Sequence, residues 1–209
     1  MSKKPLILVL DKGGQPRKWI DFEKAAYYHC KDLIKWTAGQ NEITVHGGVS
    51  RVTGVRTELA LNSIIALGGV QPARRRAPLI TNKALFRRDG HLCAYCGHGF
   101  SHASLTRDHF VATDNGGKDV WDNVVTACKP CNNRKGHRDI AEYVDDMFFK
   151  PYVPSLAEHL LLTNNRVLDD QYDFLVQQLS TNSRFMSLHS RPVSEENDDY
   201  RAIDYSVPA

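Results

Sequence analysis

The chain has 209 residues and a mass of 23.6 kDa, enough for one domain or two small ones. With 42% hydrophobic and 24% charged residues it is not a disordered chain. Its longest apolar run near the N-terminus, Leu6 to Leu10, is too short for a secretory leader or a bilayer span. The net charge of +3 conceals an asymmetry: residues 1–70 carry +4, residues 71–138 carry +7 and residues 139–209 carry −8. A basic middle with an acidic end points to nucleic acid as partner and away from a membrane. Without a leader the chain is expected in the cytoplasm, where its five cysteines serve as thiols or metal ligands rather than disulfides.

In chain order, Leu6–Leu10 reads as a buried strand, followed by the turn-rich Asp11-Lys-Gly-Gly-Gln-Pro16. Asp21 is placed to cap a helix running to about Trp36, with Cys30 as a small core residue within it. Residues 42–67 read as two or three short strands separated by Gly47-Gly48 and Gly54. A boundary falls in the Gly- and Pro-rich stretch up to Pro78, so residues 1–78 form an N-terminal α+β domain. Thr81 to Asp89 predicts a capped helix stopped by Gly90. Helices are expected at about 138–147, 155–164 and 168–179, the first from the spacing of Ile140, Tyr143, Val144 and Met147. The C-terminal part, residues 151–209, is thus helical and then polar, with a tail expected to be mobile from its composition.

Four cysteines form two pairs, Cys93-Ala-Tyr-Cys96 and Cys128-Lys-Pro-Cys131. Two-residue spacing lets both sulfurs of a pair turn toward one tetrahedral ion, and two such pairs complete four ligands, so a structural Zn²⁺ site is expected. His91, His98 and His102 lie around the first pair and read as loop histidines, with replacement of a cysteine ligand by one of them as the alternative. Between the pairs, Leu105-Thr-Arg-Asp-His-Phe-Val111 alternates like a strand but carries Asp108 and His109 side by side. Asp114-Asn-Gly-Gly117 follows as a turn, and the second pair runs into Asn132-Asn-Arg-Lys-Gly-His137, expected on a helix.

Cys-x-x-Cys, Asp-His, Gly-Gly, Asp-Asn-Val-Val and Cys-Lys-Pro-Cys-Asn-Asn-Arg-Lys-Gly, in that order over about residues 79–140, resemble the zinc-containing HNH endonuclease family in its HNN variant. Leu6 to Trp36 also resembles the N-terminal part of some bacterial HNH proteins. The resemblance implies an α+β chain whose nuclease domain, residues 79–150, is a ββα-metal core stapled by a four-cysteine zinc site. It sits between the small N-terminal domain and the C-terminal helices. It further implies His109 as general base, Asp108 as a ligand of the catalytic ion, Asn123 as the residue tying down the hairpin loop, and Asn132 as the second ligand. Asn133 and His137 stand as alternatives to Asn132. Hard oxygen donors favour Mg²⁺ or Mn²⁺ at that ion, and a histidine suits deprotonation of water near neutral pH. Neighbouring strand residues point to opposite faces, so Asp108 and His109 share one phosphate only if the strand ends, bends or bulges there.

Basic residues surround the motif: Arg74-Arg-Arg76, Lys83, Arg87 and Arg88 before it, and Arg107, Lys129, Arg134, Lys135 and Arg138 within or beside it. Of these, Arg87, Arg107, Arg134 and Lys135, together with His137, are expected to contact phosphates, which position a nucleic acid without reading its sequence. The sequence therefore reads as a metal-dependent HNH endonuclease acting on double-stranded DNA. Its alternatives are a non-catalytic zinc-stapled nucleic-acid-binding module, and an effector nuclease acting on RNA with a protein partner docked on residues 1–78.

Overall fold

The computed structural model describes residues 5–69, 77–138, 142–145 and 147–189. The expected boundary stretch 70–76, with Arg74 to Arg76, and the tail from residue 190 lie outside the described residues. The chain is α+β, with six α-helices and two sheets among the described residues, and it divides into two compact units. The first takes the N-terminal residues together with Asn164–Gln178; the second takes Ala77–Thr163 and residues 179–189.

The first unit is a four-stranded sheet of β1 (Ile7–Asp11), β2 (Pro16–Ile20), β3 (Ile34–Val49) and β4 (Arg56–Leu67), in the order β2-β1-β4-β3. The β1–β4 pair is parallel and the other two are antiparallel. Every residue of β1 is buried, which explains why its apolar run is continuous rather than alternating. Helix α1 (Phe22–Cys30) is capped by Asp21, whose carboxylate accepts the Lys24 amide at 2.8 Å. Its Ala25 joins Ile7, Val9, Leu61 and Ile65 in the core. Helix α5 (Asp169–Val176) meets β3 and β4. Its buried Gln171 donates to the Leu6 and Ser63 carbonyls at 2.8 Å each, and Asp170 accepts the Ser63 hydroxyl at 2.6 Å and the Gln40 and Asn41 amides at 2.9 Å each. These bonds fall where β3 shifts register between Ala38 and Glu42.

Three expectations are corrected here. The first helix stops at Cys30 rather than running to Trp36: Asp32 turns the chain with φ +53°, and Ile34 and Trp36 pair with Leu67 and Ala66. Long-range pairing has overridden local helical pattern. Cys30, at that helix end, is exposed rather than in the core. Residues 42–67, expected as two or three short strands, hold the end of the long strand β3 and the whole of β4, because Gly47-Gly48 is absorbed in an irregularity of the ladder.

In the second unit, helix α2 (Asn82–Arg88) is capped by Thr81. It ends in a Schellman arrangement: Gly90, at φ +60°, donates to the Arg87 carbonyl, and His91 donates to that of Phe86. Strands β5 (Leu105–His109) and β6 (Val124–Cys128) form an antiparallel hairpin, and α3 (Lys129–Lys135) follows directly. Helices α4 (Leu156–Thr163) and α6 (Phe185–Leu188) complete the unit. The α-helix expected at about 138–147 is not formed over residues 142–145, where Glu142 is in a 3-10 turn and Tyr143 to Asp145 are turn and bend; Ile140 lies outside the described residues.

The same unit buries His189, 6% exposed and set against the Phe185 ring. Burial pushes its pKa down to about 4, and burial lowers that of His159 as well. Above pH 6.5 His189 is neutral folded or unfolded. Between pH 6.5 and 4 the unfolded chain takes the proton and the folded one does not, so stability falls as the pH falls, by up to about 3 kcal/mol. The urea midpoint of this unit is therefore expected to drop between pH 7.5 and pH 5, and His189→Phe to shrink that drop. An equal drop in the variant would remove His189 as its cause.

Candidate active site and metal centre

The two cysteine pairs come from different local structures. Cys93 and Cys96 sit in a tight knuckle in which Cys93 donates to the His98 carbonyl and Gly97 to that of Cys93. Cys128 ends β6, and Cys131 lies in the first turn of α3. The four sulfurs all lie within 4.8 Å of one another, against an ideal separation of about 3.8 Å around a tetrahedral zinc with Zn–S near 2.3 Å. Cys93 and Cys128 are 0% and 2% exposed. Burial drives the Cys131 thiol well above its ordinary pKa, a strain that a bound cation relieves. Position, donor type and burial all fit a structural metal such as zinc.

Strand β5 pairs regularly to its end, with Asp108 opposite Val125 and His109 opposite Val124. Without a bulge, the two side chains leave opposite faces. Asp108 is buried: one oxygen takes the Lys135 ammonium at 2.7 Å and the other takes the Tyr95 hydroxyl. Burial, followed by the charge of Asp108, raises the Tyr95 pKa, which keeps the phenol a donor. Asn132 approaches the same face, its amide donating to the Thr106 hydroxyl at 2.9 Å. His109 lies on the other side, its Nε2 3.1 Å from Asp119 Oδ1. Arg107, two residues before it and on the same side, donates to both Asp119 oxygens at 2.8 and 2.6 Å.

Asn123 holds the loop between the strands. Its oxygen accepts the Val111 amide at 2.8 Å, and its amide donates to the carbonyls of Val111 at 3.1 Å and Lys118 at 2.8 Å. The turn at 113–117 needs both its glycines. Gly116 has φ +86°, and a Cβ on Gly117 would collide with the Val111 carbonyl.

The residues expected to meet phosphate are placed unequally. Arg134 is exposed on α3, and His137 is exposed with its Nδ1 2.9 Å from Asp114. Lys135 is not at the surface: its side chain is 3% exposed, and its ammonium bridges Asp108 and the His109 carbonyl at 2.7 and 2.5 Å. Arg107 is committed to Asp119 and to Asn82, and Arg87 donates to the Leu162 carbonyl at 2.9 Å. Arg88, read as one of the basic set, is completely buried. Tyr95 and Asp119, which contact the candidate residues Asp108 and His109, were passed over by sequence reasoning. The i, i+2 spacing of Arg107 and His109 put them on one face, but nothing in Gly-Gly-Lys-Asp marked Asp119 as their shared partner.

For a catalytic divalent ion, the test is what Asp108 already holds. Its carboxylate and the His109 carbonyl bind a cation, the Lys135 ammonium, in an oxygen-lined place. Both Asp108 oxygens are taken, by Lys135 and Tyr95, and Asn132 donates to Thr106, so an ion held by Asp108 and Asn132 would have to displace the Lys135 ammonium.

Residues 93–148 match the family described as HNH endonuclease. The match begins at the first zinc cysteine and spans Asp108, His109, Asn123 and Asn132. No curated protein matches the chain.

Proposed function

We propose, taking the HNH endonuclease match over residues 93–148 as premise, that this chain hydrolyses phosphodiester bonds of double-stranded DNA, with His109 as general base, in the cytoplasm. The observation that supports the reading is the placement of His109 at the end of one strand of a hairpin whose partner strand runs into a metal-binding cysteine pair; Asp108, on the opposite face of that strand, serves the same phosphate only if the strand end bends. The zinc staple supplies rigidity and no open position for substrate, so the chemistry falls to the hairpin and α3. Mg²⁺ or Mn²⁺, held by Asp108 and Asn132 with the Lys135 ammonium moved aside, would supply positive charge against the charge that builds on the phosphate. His109 takes the proton of the attacking water, and Asn123 keeps the loop beside it in place. The basic character of residues 71–138, at +7, supports a polyanionic substrate. Exposed Arg134 and His137 are the phosphate contacts that best fit this reading.

Plasmid cleavage tests it. Zinc-loaded protein is expected to nick plasmid with Mg²⁺ or Mn²⁺ and not with EDTA. His109→Ala is expected to lose about a hundredfold or more in rate while retarding DNA at the same salt concentration as the wild type. Absence of cleavage with every metal and salt condition would leave the zinc-stapled binding module. Preferential cutting of single-stranded RNA would overturn the DNA assignment, and wild-type cleavage by His109→Ala would overturn the base.

A further inference from the structure

We propose that Asp119 is a positioning residue for His109: its carboxylate holds the imidazole in the Nε2–H tautomer and leaves Nδ1 as the proton acceptor. The inference rests on the reading of His109 as general base and assigns the nitrogen that does the work. An ionised carboxylate only accepts hydrogen bonds, so the contact of 3.1 Å between Asp119 Oδ1 and His109 Nε2 places a proton on Nε2. A neutral imidazole then has its lone pair on Nδ1.

An isolated contact of this kind on a half-exposed carboxylate would orient little. Asp119 is not isolated. Arg107 Nη1 lies 2.8 and 2.6 Å from its two oxygens, and Arg107 Nε donates at 3.0 Å to Asn82 in the first turn of α2. The chain Asn82–Arg107–Asp119–His109 therefore ties the ring to a helix and a strand rather than to loop alone. The loop is fixed from its other side as well, because the Asn123 amide holds the carbonyl of Lys118, the residue next to Asp119. Hydrogen bonds from Arg107 also keep the Asp119 pKa below its ordinary value, so the acceptor stays ionised when the histidine is neutral. Asn123 and Arg107 thus act on the ring through Asp119, which gives each a role distinct from touching phosphate.

The test uses the full zinc-loaded chain with ¹⁵N-labelled histidine. At pH 8, long-range ¹H–¹⁵N spectra of the wild type are expected to show His109 with the protonated nitrogen at Nε2. Asp119→Ala is expected to mix the tautomers and to lower kcat about tenfold to a hundredfold, with KM and DNA retardation within about twofold. Asp119→Asn keeps an oxygen acceptor of the same shape. It is expected to keep more of the Nε2–H signature and more of the rate than Asp119→Ala, and it stands in if the alanine variant does not fold. An Nδ1–H tautomer in the wild type, an unchanged tautomer pattern in both variants, or a wild-type kcat in Asp119→Ala would each overturn the proposal. If the wild type does not cleave DNA, the nuclease reading fails and the spectra alone decide the placement of the proton.

Discussion

Cys128→Ser, or stripping of the metal by a strong chelator, is expected to abolish cooperative unfolding of the unit that carries the hairpin while the four-stranded sheet unit keeps its own transition. Cys93, Cys128 and Cys131 are themselves part of a core cluster, packed with Ala127 and against Tyr95 and Phe100. The cluster has little other apolar mass to hold it. Structural zinc binding contributes about 10–16 kcal/mol in small zinc domains, comparable to or above the whole stability of an ordinary domain. Without the ion, four sulfurs within 4.8 Å of one another have no common partner. The loss reaches the candidate active site directly, because Cys128 ends the strand opposite Leu105 and Cys131 lies in the first turn of the helix that carries Asn132. Elemental analysis is expected to give one zinc per chain in the wild type. A variant that is metal-free and still melts cooperatively in two steps would sink the four-cysteine assignment.

The second large effect is expected from Arg88→Met, a loss of about 3–5 kcal/mol, measured as a fall in the denaturant midpoint of the same unit. Arg88 is wholly buried, and all five of its N–H donors are used. Nε and Nη2 meet the two oxygens of Asp89 at 2.9 and 3.0 Å. Nη1 meets the carbonyls of Trp121 and Tyr152 at 2.9 and 2.7 Å, and Nη2 that of Val124 at 2.8 Å. Asp89 in turn accepts the Thr126 amide at 2.9 Å and Arg184 at 2.6 Å. One guanidinium thus joins α2, the loop before β6, β6 itself and the segment before α4. Methionine fills similar volume but leaves three carbonyls and part of a carboxylate unpaired in the interior. Lysine keeps the charge yet lacks the planar fork, so Arg88→Lys is expected to lose nearly as much. A change under about 1 kcal/mol for Arg88→Met would show that the network relaxes around the gap.

Arg88 also marks where sequence reading stops. It stands in a run of basic residues, and composition has no way to separate the arginine that faces a polyanion from the one that staples a core. Local rules served well where the signal was local. Thr81 and Gly90 bounded α2, Asp21 capped α1, and the Asp11 side chain folds back on the Gly13 and Gln15 amides at 2.9 and 3.0 Å in the expected turn. The paired cysteine spacing gave the metal centre because a tetrahedral ion imposes it. What escaped was set by distant partners. Trp36 joined a strand because Ala66 was there to pair with it. Lys135 left the surface because the buried carboxylate of Asp108 needed a cation. Asp119 became relevant only when the hairpin brought its loop beside Arg107 and His109.

The first unit is completed by Asn164–Gln178, a segment that follows nearly all of the second unit in the chain. A ribosome adding about 5–20 residues per second delivers Cys131, the last zinc ligand, well before Asp170 and Gln171. The later unit is able to close on its metal while the earlier sheet still lacks the side chains that bond to Leu6 and Ser63. The two units are interleaved in the chain: the hairpin and zinc ligands come first, then the segment that completes the sheet unit, then residues 179–189, which bring Arg184 and Phe185 to the second unit. A chain ending at residue 163 would carry every zinc ligand and the whole hairpin, yet leave the N-terminal sheet without its covering helix α5.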